Sequence, residues 1–319
     1  MKSLGKGFDP FQKTHKRDFL TVSDFTLVEI TDLIDQAISL KKSQSGNDYA
    51  PLRGKGIGLI FEEISTRTRV SFEVAVYQLH GQPVFLTPTD IQLSRGETIA
   101  DTARVLSRYL DGIVLRTYKH SRVEEFAEAS TIPVINGLTD KHHPCQALAD
   151  MMTIKEKKGR FKGVKLAYIG DGNNVANSLI EISSILGVEI SIACPTGFEP
   201  DAEVIEKSRK INGSCINILH DPKEAAKDAD VLYTDVWISM SEKGTQHDNK
   251  RAKFKGFQIN DELIRLAKQD VIALHCLPAH RGEEITDSVM DGPHSAVFDL
   301  AENRLHTQKA LLAKLIKNG

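Results

Sequence analysis

The chain has 319 residues, of which 40% are hydrophobic and 26% are charged, and its formal net charge is -2. These values are typical of a globular protein with two domains, and a charge so close to zero argues against nucleic-acid binding. No apolar run is long enough to cross a membrane, so we expect no membrane partner.

The N-terminus and the cysteines indicate the cellular setting. Residues 1–6 lack the apolar core of a secretion signal and the Arg- and Ser-rich composition of a transit peptide. The four cysteines are scattered without a pairing pattern, which favours a reducing compartment over a disulfide scaffold. We therefore expect a cytoplasmic protein.

Short apolar strands alternate with helical patterns along the whole chain. This alternation predicts an α/β fold with two domains, each a parallel sheet flanked by helices, over residues 1–150 and 151–319. The C-terminal helix, about 306–318, is expected to pack back on the first domain. Helices are predicted over 24–42 (with Ser23 or Asp24 as N-cap), 97–110, 146–157 and 307–317. Strands are predicted over 57–61, 84–86, 113–115, 134–136, 166–169, 190–193, 216–219, 231–234 and 271–274.

The segment 65–69 (Ser-Thr-Arg-Thr-Arg) places two arginines at the predicted start of a helix, against the helix dipole. An apolar strand precedes this segment and an apolar run follows it, so Ser65 or Thr66 is the predicted N-cap. A bound anion would explain the arginines, because hydroxyls, free N–H groups and guanidinium groups would converge on it. The alternative is that the arginines pair with Glu62 and Glu63 on a solvated turn.

Polar residues follow several other predicted strands, at the sheet edge where open α/β folds bind ligands. Arg116 follows the third strand, where it suits an anionic ligand or, alternatively, a surface ion pair. His143 and Gln146 follow the fourth strand and offer hydrogen bonds to a carbonyl and an amide. His142 and Cys145 resemble half of a zinc site, but no second ligand pair lies nearby in the sequence.

A Gly-x-Gly pattern at 170–172 follows the fifth predicted strand and invites comparison with dinucleotide-binding loops. Val175 stands in place of the third glycine, and the next strand ends in Cys194-Pro195, with no acid to hold a ribose hydroxyl. These departures argue against a nucleotide cofactor, and with it against an NAD-dependent dehydrogenase. The asparagines at 173–174 suit a carboxylate or ammonium ligand instead.

Two further polar groups follow the last predicted strands. Asp235 can hold an ammonium group with help from Ser239, although a capping role for Asp235 is the alternative. The run 275–284 is dense in polar residues, and its Cys276 is either an inert buried thiol or a nucleophile without an assignable base. Between these groups, residues 240–256 have no periodic apolar face, which predicts a long mobile loop that acts as a lid.

Taken in chain order, these short polar motifs resemble the sequence motifs of the aspartate/ornithine carbamoyltransferase superfamily over nearly the whole chain. The Ser-Thr-Arg-Thr box is shared across that superfamily, whereas Ser239-Met240 and the His-Cys-Leu-Pro box at 275–278 are typical of its ornithine branch. The resemblance implies a transferase of arginine metabolism that moves the carbamoyl group of carbamoyl phosphate to the side-chain amine of L-ornithine, giving L-citrulline and phosphate. The amine would attack directly in a cleft between the domains, with no covalent enzyme intermediate, metal or cofactor.

The resemblance also implies roles for individual residues. Gln92 would reach the site from a neighbouring subunit of a homotrimer. Carbamoyl phosphate would contact a donor set: Ser65, Thr66, Arg67, Thr68, Gln92, Arg116, His143, Gln146, Cys276, Leu277 and Arg304. L-Ornithine would contact an acceptor set: Asn174, Asp235, Ser239 and Met240. The catalytic residues among them would be Arg67, Arg116, His143, Asp235 and Cys276.

One position departs from the family pattern, and two other functions deserve comparison. Ser241 stands where the family usually has glycine, which puts the backbone of the predicted lid in question. A carbamoyltransferase for another amine, such as putrescine, is disfavoured because a diamine has no α-amino-acid group for Asp235 and Ser239 to bind. A catalytically silent anion-binding protein would leave the presence of both sets unexplained.

Overall fold

A computed structural model describes residues 16–43, 49–87, 89, 96–238 and 247–316. Within these ranges the chain forms nine strands, and every predicted strand is confirmed with ends that move by at most two residues. The strands are β1 (Gly56–Phe61), β2 (Gln82–Leu86), β3 (Gly112–Arg116), β4 (Val134–Leu138), β5 (Lys165–Ile169), β6 (Glu189–Ala193), β7 (Ile216–Leu219), β8 (Val231–Thr234) and β9 (Ile272–His275).

The α-helices lie between and after these strands. In the described ranges they are α1 (Leu27–Lys42), α2 (Thr66–Gln78), α3 (Ile99–Leu106), α4 (His120–Ala129), α5 (Pro144–Lys158), α6 (Asn174–Leu186), α7 (Ala202–Asn212), α8 (Pro222–Ala226), α9 (His247–Phe254), α10 (Asp261–Leu266), α11 (Asp287–Met290) and α12 (Val297–Leu315). The predicted cap of α1 is wrong, because Thr26 and Glu29 form a capping box that starts the helix at Leu27. Asp24 instead accepts hydrogen bonds from two backbone N–H groups in the preceding turn.

The strands form two sheets in which every pair is parallel, as predicted. The first sheet has the order β2-β1-β3-β4 and the second has the order β7-β6-β5-β8-β9. In each sheet the strand order reverses once, between β1 and β3 and between β5 and β8. The connections leave in opposite directions at such a point, so a crevice opens there at the carboxyl ends of the strands. The fold therefore predicts one binding crevice for each sheet.

Two long helices, α5 and α12, pack between the other elements. Almost every residue of α5 from Pro144 to Ile154 is buried, which is typical of a helix enclosed on all sides. α12 packs against α5, α1 and α2. It begins at Val297 rather than at the predicted residue 307, because buried polar residues such as Asn303 and Arg304 hide the apolar period of its first half.

The predicted loop over 240–256 is wrong for its second half, where α9 forms. Among the described side chains of this helix, Phe254 alone is buried, so no apolar stripe marks the helix in the sequence. Lys250 anchors α9 through an ion pair with Asp171, 2.8 Å away. Residues 239–246 lie outside the described residues, and the predictions for Ser239, Met240 and Ser241 lie outside them too.

The helices and the cysteines bear on two expectations drawn from composition. No described helix combines the length and the apolar character that a membrane span requires. All four cysteines are free thiols, and Cys145, Cys194 and Cys215 are buried. The expected cytoplasmic location stays a prediction.

Candidate active site

The segment 65–69 begins α2 directly after β1, as predicted. Ser65 is the N-cap, and its hydroxyl accepts the Thr68 N–H at 3.3 Å. Thr66 is exposed and Arg67 is half-buried at the same end of the helix. Burial lowers the pKa of Arg67, whereas nearby Cys276 raises it. Arg67 therefore lies within electrostatic reach of the group that follows β9.

The alternative pairing of these arginines with Glu62 and Glu63 is wrong. Glu62 pairs with Arg122, whose Nη2 atom is 2.6 Å from the carboxylate, and it also accepts a hydrogen bond from a threonine. Glu63 lies 3.9 Å from Arg116. Among the ion pairs of the described residues, none involves Arg67. The charge of Arg67 is therefore available to a ligand.

Arg69, two residues further along α2, has a different environment. Its Nε atom is 3.2 Å from the carboxylate of Glu73 one turn later, and its guanidinium carbon lies 3.4 Å from the centre of the Phe85 ring. The side chain is exposed. Arg69 is thus satisfied on the surface by an ion pair and an aromatic ring, unlike Arg67.

The guanidinium groups of Arg67, Arg116 and Arg304 lie close enough to repel one another electrostatically, at the carboxyl ends of the strands of the first sheet. Burial, with smaller contributions from Arg304 and Arg67, lowers the pKa of Arg116 to about 10, and the charge of Glu63 opposes this shift. Burial also lowers the pKa of Arg304. The Nε atoms of Arg116 and Arg304 are buried without a hydrogen-bond partner. Because buried positive charges with unsatisfied donors are costly, this arrangement favours the binding of an anion.

His143 lies beside this cluster at the N-cap of α5. Its backbone N–H donates to Ser178 Oγ at 2.8 Å, while its ring Nδ1 is buried without a partner. Burial lowers the pKa of His143 well below its ordinary value, and the neighbouring arginines lower it further. The ring is therefore neutral near pH 7, and a neutral imidazole can donate one hydrogen bond to a substrate oxygen.

A chain of buried hydrogen bonds runs from α2 to the second sheet. Arg304 donates from Nη2 to Thr68 Oγ1 at 3.0 Å and from Nη1 to Gln146 Oε1 at 2.5 Å. Gln146 Nε2 donates to Asp150 Oδ1 at 2.9 Å. The Tyr233 hydroxyl donates to the same oxygen at 3.0 Å. Asp150 and Tyr233 were not predicted from the sequence; the available signal for Asp150 was an acid one helical turn after Gln146 in a buried helix.

The buried Asp150 predicts a specific pH dependence of stability. Burial raises the pKa of Asp150 from 3.8 to about 7, against the opposite effect of its hydrogen bonds with Gln146 and Tyr233. A carboxyl group with a higher pKa in the folded state contributes stability that is present below its unfolded pKa and is lost as pH rises through its folded pKa. We expect the Tm of Asp150→Asn, relative to the unmodified protein, to rise between about pH 4 and about pH 7. A Tm difference that stays constant over this range would contradict the raised pKa.

Asp235 lies directly after β8, where two side chains donate to its carboxylate. Cys276 Sγ donates to Oδ1 at 2.9 Å, and Asn173 Nδ2 donates to Oδ2 at 2.7 Å. Burial raises the pKa of Cys276 well above its ordinary value, and Asp235 raises it further. The thiol therefore stays protonated and donates a hydrogen bond, which does not suit a nucleophile.

Of the two neighbouring asparagines, the structure brings Asn173 rather than the predicted Asn174 to Asp235. Asn173 caps α6 by accepting the Val175 N–H at 2.9 Å, and its amide group faces the carboxylate. Asn174 Nδ2 instead donates to the Thr139 carbonyl at 2.6 Å. The preference of asparagine for N-caps was the signal for Asn173. A role for Asn174 in acceptor binding stays a prediction, and Gln92 lies outside the described residues.

The turn after β9 places Cys276 and Leu277 beside Asp235. Leu277 has a φ of 60°, a left-handed conformation that costs a non-glycine residue about 1–2 kcal/mol. Its N–H donates to His275 Nδ1 at 2.8 Å, and His275 Nε2 donates to Glu284 Oε1 at 3.0 Å. Both members of the His275–Glu284 pair are fully buried. This pair, which was not predicted from the sequence, holds the strained turn in place.

Asp235, His275 and Cys276 each offer a ligand atom within 4.8 Å of the others. They do not fit a metal ion, because His275 accepts from Leu277 N–H at one ring nitrogen and donates to Glu284 from the other. No ring lone pair is left for a metal. The zinc half-site considered above also fails in geometry: His142 Nδ1 lies 3.3 Å from Glu181, whereas Cys145 donates to a backbone carbonyl.

A second group of possible ligands, His280, Glu283 and Glu284, lies further along the same turn. Glu283 already pairs with Arg251, with 3.1 Å between Nε and the carboxylate. Glu284 accepts the His280 N–H at 2.6 Å in addition to its bond with His275. These carboxylates are therefore occupied by contacts that stabilise the turn, and they do not form a metal site.

The chain is similar in sequence and structure to proteins of one family. Residues 17–156 match the model of the aspartate/ornithine carbamoyltransferase carbamoyl-P binding domain, and residues 162–315 match that of the Asp/Orn binding domain. A Methanosarcina mazei protein named ornithine carbamoyltransferase is 55% identical over 304 residues, which are 95% of this chain and 100% of that relative.

A second sequence relative and a solved structure belong to the same family. A Thermoplasma acidophilum protein named ornithine carbamoyltransferase, catabolic, is 55% identical over 304 residues, 94% of this chain and 99% of its own length. The structure of ornithine carbamoyltransferase from Pyrococcus furiosus has a TM-score of 0.91 at 52% identity, covering 94% of this chain and 97% of that one. The resemblance seen in the sequence motifs is confirmed, and the chain belongs to the aspartate/ornithine carbamoyltransferase family.

Proposed function

We propose that this chain transfers the carbamoyl group of carbamoyl phosphate to the side-chain amine of L-ornithine, giving L-citrulline and phosphate in arginine metabolism. Family membership and 55% identity with a named ornithine carbamoyltransferase support this reaction. The observation that carries it is the cluster of buried arginines with unsatisfied Nε atoms, which lies within electrostatic reach of Cys276. The crevices of the two sheets would therefore form one shared crevice, with an anion half-site beside an ammonium half-site.

On the donor side, the phosphate of carbamoyl phosphate would bind at the start of α2. The free N–H groups of the first turn, the hydroxyls of Ser65, Thr66 and Thr68, and Arg67 would contact it there. Arg116 and neutral His143 would donate to the carbamoyl oxygen, where negative charge develops in the tetrahedral state. Each such donor contributes about 3 kcal/mol to the stability of the transition state. The remaining residues of the donor set would complete this pocket: Gln92, Gln146, Cys276, Leu277 and Arg304.

On the acceptor side, the carboxylate of Asp235 would hold an ammonium group of ornithine. Asn174, Ser239 and Met240 would contact the rest of its amino-acid group. The neutral side-chain amine would then attack the carbamoyl carbon to form the tetrahedral state. That state would collapse as the bond to phosphate breaks, and the proton lost by the amine would leave with the phosphate. Because the Cys276 thiol is protonated, it would donate a hydrogen bond and form no covalent intermediate. The segment after Met240 would close over the substrates and exclude water.

The proposed geometry predicts strong binding of a molecule that spans both half-sites. An example is ornithine whose side-chain nitrogen carries a phosphonoacetyl group, in place of the two separate substrates. We expect calorimetry to give a Kd at least about 1,000-fold lower than that of either substrate alone, because one molecule makes both sets of contacts. The matched control carries the same group on putrescine and should bind less tightly. A Kd no better than that of the tighter single substrate would contradict a shared crevice.

We also propose a domain division near residue 150, a cytoplasmic location and a homotrimer. The two family models meet between residues 156 and 162, and four free thiols suit a reducing compartment. Ile64, just before α2, and Tyr77, near its end, are 86% and 75% exposed, which supports a subunit interface near this helix. In the trimer, Gln92 would enter the donor site of a neighbouring subunit.

Mixed trimers test the contribution of Gln92. Gln92→Ala and Arg67→Ala should each inactivate the protein, because every site in either trimer lacks one donor residue. After the two variants are mixed and their subunits are exchanged, about a quarter of the sites should have both residues and regain activity. Sedimentation should give a mass three times that of the 35.4 kDa chain. Exchange without any recovered activity would show that Gln92 acts in its own subunit, and full activity of Gln92→Ala before mixing would show that it has no role.

A further inference from the structure

Asp150 is a buried carboxylate to which the proposed reaction assigns no role. Its exposed fraction is 0%, and its Oδ2 atom has no hydrogen-bond partner. A partly satisfied carboxylate in a buried helix costs stability that an apolar residue of similar size would not. The other oxygen, Oδ1, accepts two hydrogen bonds.

Oδ1 determines which way the amide of Gln146 faces. Because Gln146 Nε2 donates to Asp150 at 2.9 Å, the amide oxygen is turned towards Arg304, whose Nη1 donates to it at 2.5 Å. The opposite orientation would place the amide NH2 group against the guanidinium, with donor facing donor. It would also place the amide oxygen against the Asp150 oxygen, with acceptor facing acceptor, so Asp150 and Arg304 together exclude it.

Arg304, held at Nη1 by Gln146, reaches the start of α2 with its other end. Its Nη2 donates to Thr68 Oγ1 at 3.0 Å, in the first turn of the helix that carries Arg67. Its Nε remains buried and without a partner. The orientation of Gln146 therefore fixes the position of an unsatisfied guanidinium donor at the donor half-site.

The same carboxylate oxygen also contacts the second sheet. The Tyr233 hydroxyl donates to Oδ1 at 3.0 Å, and Tyr233 lies on β8, two residues before Asp235. One atom of Asp150 thus accepts hydrogen bonds from the donor-site glutamine and from the strand that leads to the acceptor-site aspartate.

We propose that Asp150 is a positioning residue that orients Gln146, and through it Arg304, for carbamoyl phosphate, and that fixes this half-site against the strand carrying Asp235. The inference rests on the proposed function. Asp150 would touch neither substrate, so its contribution passes through Gln146.

The variants Asp150→Leu and Asp150→Asn separate this role from a structural one. Leucine fills the space without an acceptor, and should raise the Kd for carbamoyl phosphate by about 10- to 100-fold, the usual effect of losing a buried hydrogen bond to a group held for binding. Asparagine retains an acceptor oxygen, so the Kd of Asp150→Asn for carbamoyl phosphate should stay within about threefold of that of the unmodified protein. Asp150→Ala replaces the leucine variant if that variant does not fold, which its melting curve shows.

A double-mutant cycle with Gln146→Ala gives the decisive comparison. If Asp150 acts through Gln146, Asp150→Leu should weaken binding in the natural background and should have almost no further effect in the Gln146→Ala background. An equal loss in both backgrounds, or an unchanged Kd in the single variant, would overturn the proposal. Binding is measured by calorimetry, so the cycle can be read even if the unmodified protein makes no citrulline. Absence of citrulline would refute the proposed function alone.

Discussion

Arg67→Ala is expected to lower kcat/KM for carbamoyl phosphate by about 100- to 1,000-fold, because it removes a charge-assisted donor from the phosphate site. Arg67 has no ion-pair partner among the described residues, and burial already lowers its pKa. The substitution therefore leaves no carboxylate unpaired, and the Tm should change little. Direct calorimetry should show the same loss in carbamoyl phosphate binding.

Arg69→Ala is the matched control on the same helix. Arg69 is exposed and pairs with Glu73 over the Phe85 ring, so its loss removes a surface contact worth at most about 1 kcal/mol. Carbamoyl phosphate should bind to this variant nearly as tightly as to the unmodified protein. Full activity of Arg67→Ala, or an equal loss in both variants, would refute the assignment of the phosphate site.

Asp235→Asn should raise the KM for ornithine and lower kcat, with a combined loss in kcat/KM of about 100- to 1,000-fold. The substitution keeps the shape of the side chain but removes the negative charge that would hold the ammonium group of ornithine. In the unmodified protein the two carboxylate oxygens accept hydrogen bonds from Cys276 and Asn173. The substitution replaces one of these acceptors with an amide donor. Steady-state kinetics with each substrate varied in turn separates the two half-sites.

The Kd for carbamoyl phosphate should change by less than about fivefold in Asp235→Asn, since donor contacts are made by other residues. Asp32→Asn, an exposed substitution on α1, provides the control for loss of a carboxylate. If carbamoyl phosphate binding suffered and the ornithine KM did not, the two half-sites would have been assigned the wrong way round.

The sheets were predictable because each buried strand is a short apolar run bounded by turn residues. The site followed from the same pattern, since the residues after β1, β3, β5 and β8 are those beside the two reversals of strand order. The N-cap Ser65 was also recognisable, because a hydroxyl directly before an apolar helical run is a local signal.

The features that were missed depend on contacts between distant parts of the chain. The first half of α12 buries Asn303 and Arg304, so its apolar period is interrupted by polar side chains whose partners lie in distant parts of the chain. The bond between Tyr233 and Asp150 joins residues 83 positions apart. Neither the buried polar contacts of α12 nor the Tyr233–Asp150 hydrogen bond produces a local pattern that can be recognised in a single sequence.

The most direct test of the proposed activity is citrulline formation from carbamoyl phosphate and L-ornithine, measured beside putrescine, L-aspartate and N-acetylornithine as acceptors. We expect efficient turnover with ornithine and a kcat/KM at least about 100-fold lower with each of the other amines, because only ornithine offers both a free α-amino-acid group and a side-chain amine. A preference for another amine would keep the carbamoyl phosphate site and overturn the role given to Asp235. No turnover with any acceptor would contradict the proposed reaction itself.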